Sequence, residues 1–180
     1  MSTPTPLRRA WLARAFGLAA AAALPVRQAQ ANDLKLGAPA PPLVLHALDG
    51  QRFATRDLLG QVVLVNFWAT WCPPCLEEMP ALSAYAESRA AQGLQVLGFS
   101  LDDAANLGKV RSIAASLHYP VGLLGSAWAG GYGRVWRCPV NFVIDRGGRL
   151  VHDGWSDEGA QPWTRERFAR VVDPLLQRAV

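Results

Sequence analysis

Val62-Val63-Leu64-Val65-Asn66-Phe67-Trp68-Ala69-Thr70-Trp71-Cys72-Pro73-Pro74-Cys75 is the stretch that decides the fold. Its first seven residues are apolar apart from Asn66 and rich in β-branched and aromatic side chains. Such a run describes a strand buried on both faces, as in a parallel or mixed central sheet. Cys72 to Ala91 then has helical composition, with Leu76, Met79, Leu82 and Tyr85 along one face; Pro80 should kink this helix and Gly93 end it. The two cysteines therefore sit where a buried strand meets a helix N-terminus. Free N–H groups and the helix dipole there favour a thiolate over a thiol. Three residues apart on a first helical turn, the two sulfurs can reach bonding distance. The pattern points to thiol–disulfide exchange, in which an exposed Cys72 attacks a disulfide and Cys75, one turn in, resolves the mixed disulfide. Trp71 would shield one side of the exposed sulfur.

Working outward, Leu94 to Leu101 reads as a second buried strand and Ala104 to Leu117 as a second amphipathic helix. Val121 to Leu124 is a further short strand, and Ala127 to Val135 a glycine-punctuated turn or short helix. Val140 to Asp145 and Leu150 to Trp155 flank Arg146-Gly147-Gly148-Arg149, a hairpin connection. Phe168, Val171, Val172, Leu175 and Leu176 mark a closing helix, with Pro174 bending or breaking it. On the N-terminal side, Leu43 to Leu45 begins a strand, Asp49-Gly50 turns it and Gln51 to Ala54 returns. Thr55 should cap a brief helical turn ending at Gly60. A hairpin, then β-α-β-α, then β-β-α is an α/β fold.

A chain of 180 residues, 51% of them hydrophobic, suits one domain. Its first 31 residues read differently. Arg8, Arg9 and Arg14 precede an apolar run from Ala15 to Leu24, about half the ~20 residues a membrane-spanning helix needs. Ala29-Gln30-Ala31 follows as a small-x-small site. Residues 1–31 thus read as a secretory signal cleaved after Ala31, in preference to an uncleaved anchor, with 32–180 as the working domain. Arg8-Arg9 fits both the twin-arginine export route and an ordinary basic leader.

Of the 18 basic residues, Arg8, Arg9, Arg14 and Arg27 lie in this leader, which holds no acid. Taking those four away leaves 14 basic against 14 acidic, so the formal +4 belongs to the leader. No argument for nucleic acid or an anionic membrane survives. All three cysteines, Cys72, Cys75 and Cys138, follow the leader and would meet an oxidising compartment. A bridge between Cys72 and Cys75 closes almost no loop, so its value is chemical rather than structural. A zinc site would want another pair of ligands, and His46, His118 and His152 stand singly.

Val65 to Pro80, V-N-F-W-A-T-W-C-P-P-C-L-E-E-M-P, resembles the periplasmic thioredoxin-like proteins of the TlpA/ResA/CcmG type. Cys138 to Val151, C-P-V-N-F-V-I-D-R-G-G-R-L-V, is similar to a second run of that family, in the family's order and separation. The likeness extends from about Gly37 to the C-terminus. It implies a thioredoxin fold with an N-terminal β-hairpin and a central βα insertion, its mixed sheet flanked by helices. It also implies that Pro139 is a cis proline facing the active-site sulfurs. Glu78 would be the semi-buried acid that takes part in proton transfer, whereas Glu77 reads as a first-turn acid placed by the dipole. Asn66 stands where cytoplasmic thioredoxins carry a buried Asp, which moves the proton acceptor's role for Cys75 towards Glu78. Cys138 stands where an aliphatic residue or Thr is usual, and Asn141 where Thr is common.

Two functions follow as expectations. One is a dithiol reductant of disulfides in exported partners, apocytochrome c or a metal-site protein among them. It would use no cofactor beyond the Cys72–Cys75 disulfide and act as a soluble monomer, recharged by a membrane thiol transporter of the DsbD/CcdA kind. The other is a Cu(I)-binding protein that uses Cys72, Cys75 and Cys138 as soft ligands. A strong oxidant is disfavoured, because Pro73 and Pro74 lack the N–H groups that would stabilise a Cys72 thiolate. Cys138 itself reads three ways: a partner for Cys72, a metal ligand, or a small apolar filler.

Overall fold

The computed structural model describes residues 34–178. The expected leader, its cleavage after Ala31 and its twin-arginine pair fall outside these residues. Five strands form a mixed sheet in the order β5-β4-β3-β6-β7. At its centre lies β3 (Val62–Trp68), all seven residues buried, as the apolar run requires. β4 (Leu94–Ser100) runs parallel to it on one side, with β5 (Val121–Leu123) beyond. On the other side β6 (Val140–Ile144) pairs antiparallel with β3 and carries β7 (Leu150–His152) at the edge.

Side chains alternate across β3. Val62, Leu64 and Trp68 join a core with α1 (Pro73–Arg89), α2 (Leu107–Ala114) and α3 (Arg165–Leu176). Val63, Val65 and Phe67 face a second core on the opposite side, built with Phe99, Tyr132 and Phe142. The antiparallel hairpin of β1 (Val44–His46) and β2 (Arg52–Ala54) closes this second core, contributing Leu43, Leu45 and Ala47. It presses so closely that a Cβ at Gly122 would collide with the His46 carbonyl, which explains the glycine on β5.

Several element ends differ from the sequence reading, each for a local reason. Thr55 does not cap its turn; its hydroxyl accepts from the Leu43 N–H at 3.0 Å and ties the hairpin to the following 3-10 turn. The helix expected over 104–117 divides into a 3-10 turn (Ala104–Asn106), where Asp103 accepts from the Asn106 N–H, and the shorter α2. β7 stops at His152 rather than reaching Trp155, because the Asp153 side chain accepts from the Trp155 N–H and turns the chain. α1 runs through Pro80, which lies on its exposed face. Gly93, at φ 88°, ends the 3-10 extension of α1 in the left-handed region. α3 likewise tolerates Pro174, ending two residues later.

Candidate active site

Trp68 ends the central strand β3 at its carboxyl end, from which Trp71 and Cys72 project, and Cys72 becomes the N-cap of α1. Pro73 and Pro74 fill the first two helical positions, where a missing N–H leaves no intrahelical bond unmade. Cys72 and Cys75 are joined, with S–S 2.09 Å. The Cys75 N–H donates to the Cys72 Sγ at 3.3 Å, and among the described residues it is the backbone donor that reaches that sulfur. The expectation of an exposed Cys72 is corrected: it is 4% exposed, Cys75 1%, walled by the side chains that line the cleft around it. Trp71 does stand over the site, 64% exposed.

Across from the bridge, the Cys138–Pro139 bond is cis, as the resemblance implied. The structure brings Cys138 to the bridge, and the sulfurs of Cys72, Cys75 and Cys138 all lie within 4.8 Å of one another. Burial, reinforced by the negative charge of Asp102, pushes the Cys138 thiol up to about 11. A cleft of about 420 Å³ opens onto Cys72 and Cys138, lined also by Trp71, Pro73, Pro74, Val135 and Trp136.

Beneath the bridge lies a polar cluster inside the core. Asn66 on β3 and Asn141 on β6 are register partners pointing to the same face. Asn66 Nδ2 donates to Asn141 Oδ1 at 2.8 Å and to Glu78 Oε1 at 3.0 Å. Asn141 Nδ2 donates to both Glu78 oxygens, at 3.1 and 3.2 Å, and the Trp163 N–H to Oε2 at 2.6 Å. Glu78 is 1% exposed, so it is fully rather than half buried. Burial raises its carboxyl to about 7, outweighing the Trp163 N–H, the two asparagine amides and the Arg167 charge, all of which favour the ionised form. The group is thereby poised to take or give a proton near neutral pH.

Three anchors had no local signature in the sequence. Asp102, buried after β4, accepts from the Thr70 N–H (2.8 Å), the Thr70 hydroxyl (2.6 Å) and the Ser100 hydroxyl (2.7 Å). It thus holds the turn that presents Trp71 and Cys72. Arg137 donates to the carbonyls of Gly154, Trp155, Asp157 and Gly159, and so fixes the approach to Cys138. Trp163, which donates to Glu78, is itself held by Asp157, which also pairs with Arg167 at 2.6 Å. The one clue was general: a polar or charged side chain that the fold takes out of water needs a partner.

Comparison with known proteins agrees with this geometry. Residues 36–153 match the model of the AhpC/TSA family. The thiol-disulfide oxidoreductase ResA of Bacillus thuringiensis is 32% identical over 124 residues, 68% of this chain and 71% of the relative. The thiol:disulfide interchange protein DsbE of Allochromatium vinosum is 33% identical over 148 residues, 78% of this chain and 75% of the relative. Among solved structures, a thioredoxin-family thiol:disulfide interchange protein from Chlorobium tepidum superposes with a TM-score of 0.63 at 29% identity. It covers 80% of this chain and 99% of that one.

Proposed function

The chain belongs to the AhpC/TSA family and is a thioredoxin-like thiol–disulfide oxidoreductase; from that premise we propose that it works as an exported dithiol reductant of disulfides in partner proteins. The observation that carries the direction is the lone Cys75 N–H on the Cys72 sulfur, with prolines at both positions that could have supplied more donors. A sparsely stabilised thiolate makes the reduced form a ready electron donor.

In this reading the reduced protein presents Cys72 at the cleft floor. Its thiolate attacks one sulfur of the partner's disulfide, the partner's other sulfur leaves as a thiolate and takes up a proton, and a mixed disulfide remains. Cys75 then loses its proton to Glu78, three residues along the same helix face. The Cys75 thiolate attacks Cys72 and releases the partner's second thiol. Two electrons pass to the partner and the Cys72–Cys75 disulfide re-forms. Pro139 and Trp71 border the approaching chain, and Pro73 and Pro74 keep the Cys72–Cys75 dithiol a ready reductant. The cycle needs no cofactor beyond that disulfide, but it does need a reductant, for which a membrane thiol transporter of the DsbD/CcdA kind has the right chemistry. The leader read in residues 1–31 would put the protein in the periplasm, where apocytochrome c and metal-site proteins are disulfide-bearing partners.

Trapping tests the reading. Cys75→Ser removes the resolving thiol, so the variant should accumulate a mixed disulfide through Cys72 with its partner, visible without reductant and lost on adding it. The wild-type protein should reduce insulin in a dithiol-fed assay. No trapped partner together with no insulin reduction would contradict the proposal.

A further inference from the structure

The exchange reaction uses two sulfurs, yet the structure gathers three. Cys72, Cys75 and Cys138 come from the start of α1 and the loop before β6, and their sulfurs lie within 4.8 Å of one another while the bridge is closed. Three metal–sulfur bonds of about 2.3 Å hold trigonal sulfurs about 4 Å apart. Opening the bridge frees Cys72 and Cys75 to take up that spacing beside Cys138. We propose that the reduced protein captures one Cu(I) ion between the sulfurs of Cys72, Cys75 and Cys138.

The donor set selects the ion. Among the described residues no fourth cysteine, histidine or carboxylate joins the group. The two acids nearby are already engaged, Asp102 by Thr70 and Ser100, and Glu78 by Asn66, Asn141 and Trp163. Structural zinc takes four ligands in a tetrahedron, and hard cations want oxygen; sulfur alone, in threes, suits soft Cu(I). Each cysteine is at most 7% exposed, which shields the ion from water, while the cleft beside Trp71 and Trp136 gives it a way in. Binding moves no electrons: the ion replaces thiol protons, which leave through the cleft to solvent. The amino end of α1 favours the added negative charge, and Asp102 opposes it. A bound ion occupies Cys72, so ion capture and disulfide exchange exclude each other.

The test is anaerobic titration of the fully reduced full-length chain with the acetonitrile complex of Cu(I), in competition with a chromogenic Cu(I) chelator. Wild type should hold one Cu(I) per chain. Loss of even an outer partner of a metal ligand costs about 10–100-fold in affinity, so Cys138→Ala should weaken binding at least about tenfold. X-ray absorption on loaded wild type, which does not depend on the variant folding, should count three sulfurs. No retained copper, equal affinity in Cys138→Ala, or a two-sulfur spectrum would overturn the proposal. Insulin reduction, measured in parallel on the metal-free protein, separates the two readings. Its absence with copper capture intact would contradict the reductant and support the copper site.

Discussion

At the scale of single residues, Glu78 carries the sharpest consequence. Its folded carboxyl titrates at about 7 against an ordinary 4.5, so the folded state prefers the protonated acid. Below the ordinary value the preference costs nothing. As pH rises from about 4.5 to about 7, the unfolded chain releases a proton that the folded one keeps, and stability falls. Above that window the full cost, about 3 kcal/mol, persists. Glu78→Gln removes the titration. Urea unfolding of the oxidised protein at pH 4.5 and pH 8 should show wild type losing stability across the window and the variant holding level. Parallel behaviour of the two would refute the buried, near-neutral acid. The same variant should slow insulin reduction and lose the inflection near pH 7, since Cys75 would have no nearby acceptor for its proton.

At the scale of the element, the beginning of α1 sets the chemistry. An N-cap side chain normally accepts from the N–H groups two or three residues on. Here Pro74 removes the first of these and leaves only that of Cys75. Pro74→Ala restores a donor at a position whose backbone is already helical, so the fold should tolerate it. The extra N–H should stabilise the Cys72 thiolate, lower its pKa and shift the potential on the order of 30 mV more positive, the equivalent of about 1.4 kcal/mol. Redox titration against glutathione reads this directly. An unchanged or more negative potential would mean that the prolines act through something other than the donors they withhold.

At the scale of the whole molecule, strand, motif and helix were legible because each is written in neighbouring residues. A continuous apolar run specifies β3, and the C-x-x-C placed directly after it specifies the start of α1. The partners of Glu78 were not legible. Asn141 and Trp163 lie 63 and 85 residues away in sequence, and only the β3–β6 register and the docking of α3 bring them to the acid. Asp102 and Arg137 escaped for the same reason: each serves backbone groups on another segment, a bond with no local pattern. The depth of Cys72 was misread because a helix N-terminus is ordinarily exposed, and here Trp71, Pro73 and the loop before β6 wall it in. The proposed reductant role rests on one property, a Cys72–Cys75 dithiol that gives up its electrons readily. The measurement that tests this most directly is the reduction potential of the Cys72–Cys75 pair, from equilibrium with glutathione at pH 7. A value near the reductant end of the scale, about −270 mV, is the expected result, and one near the strong-oxidant end, about −120 mV, would contradict the account.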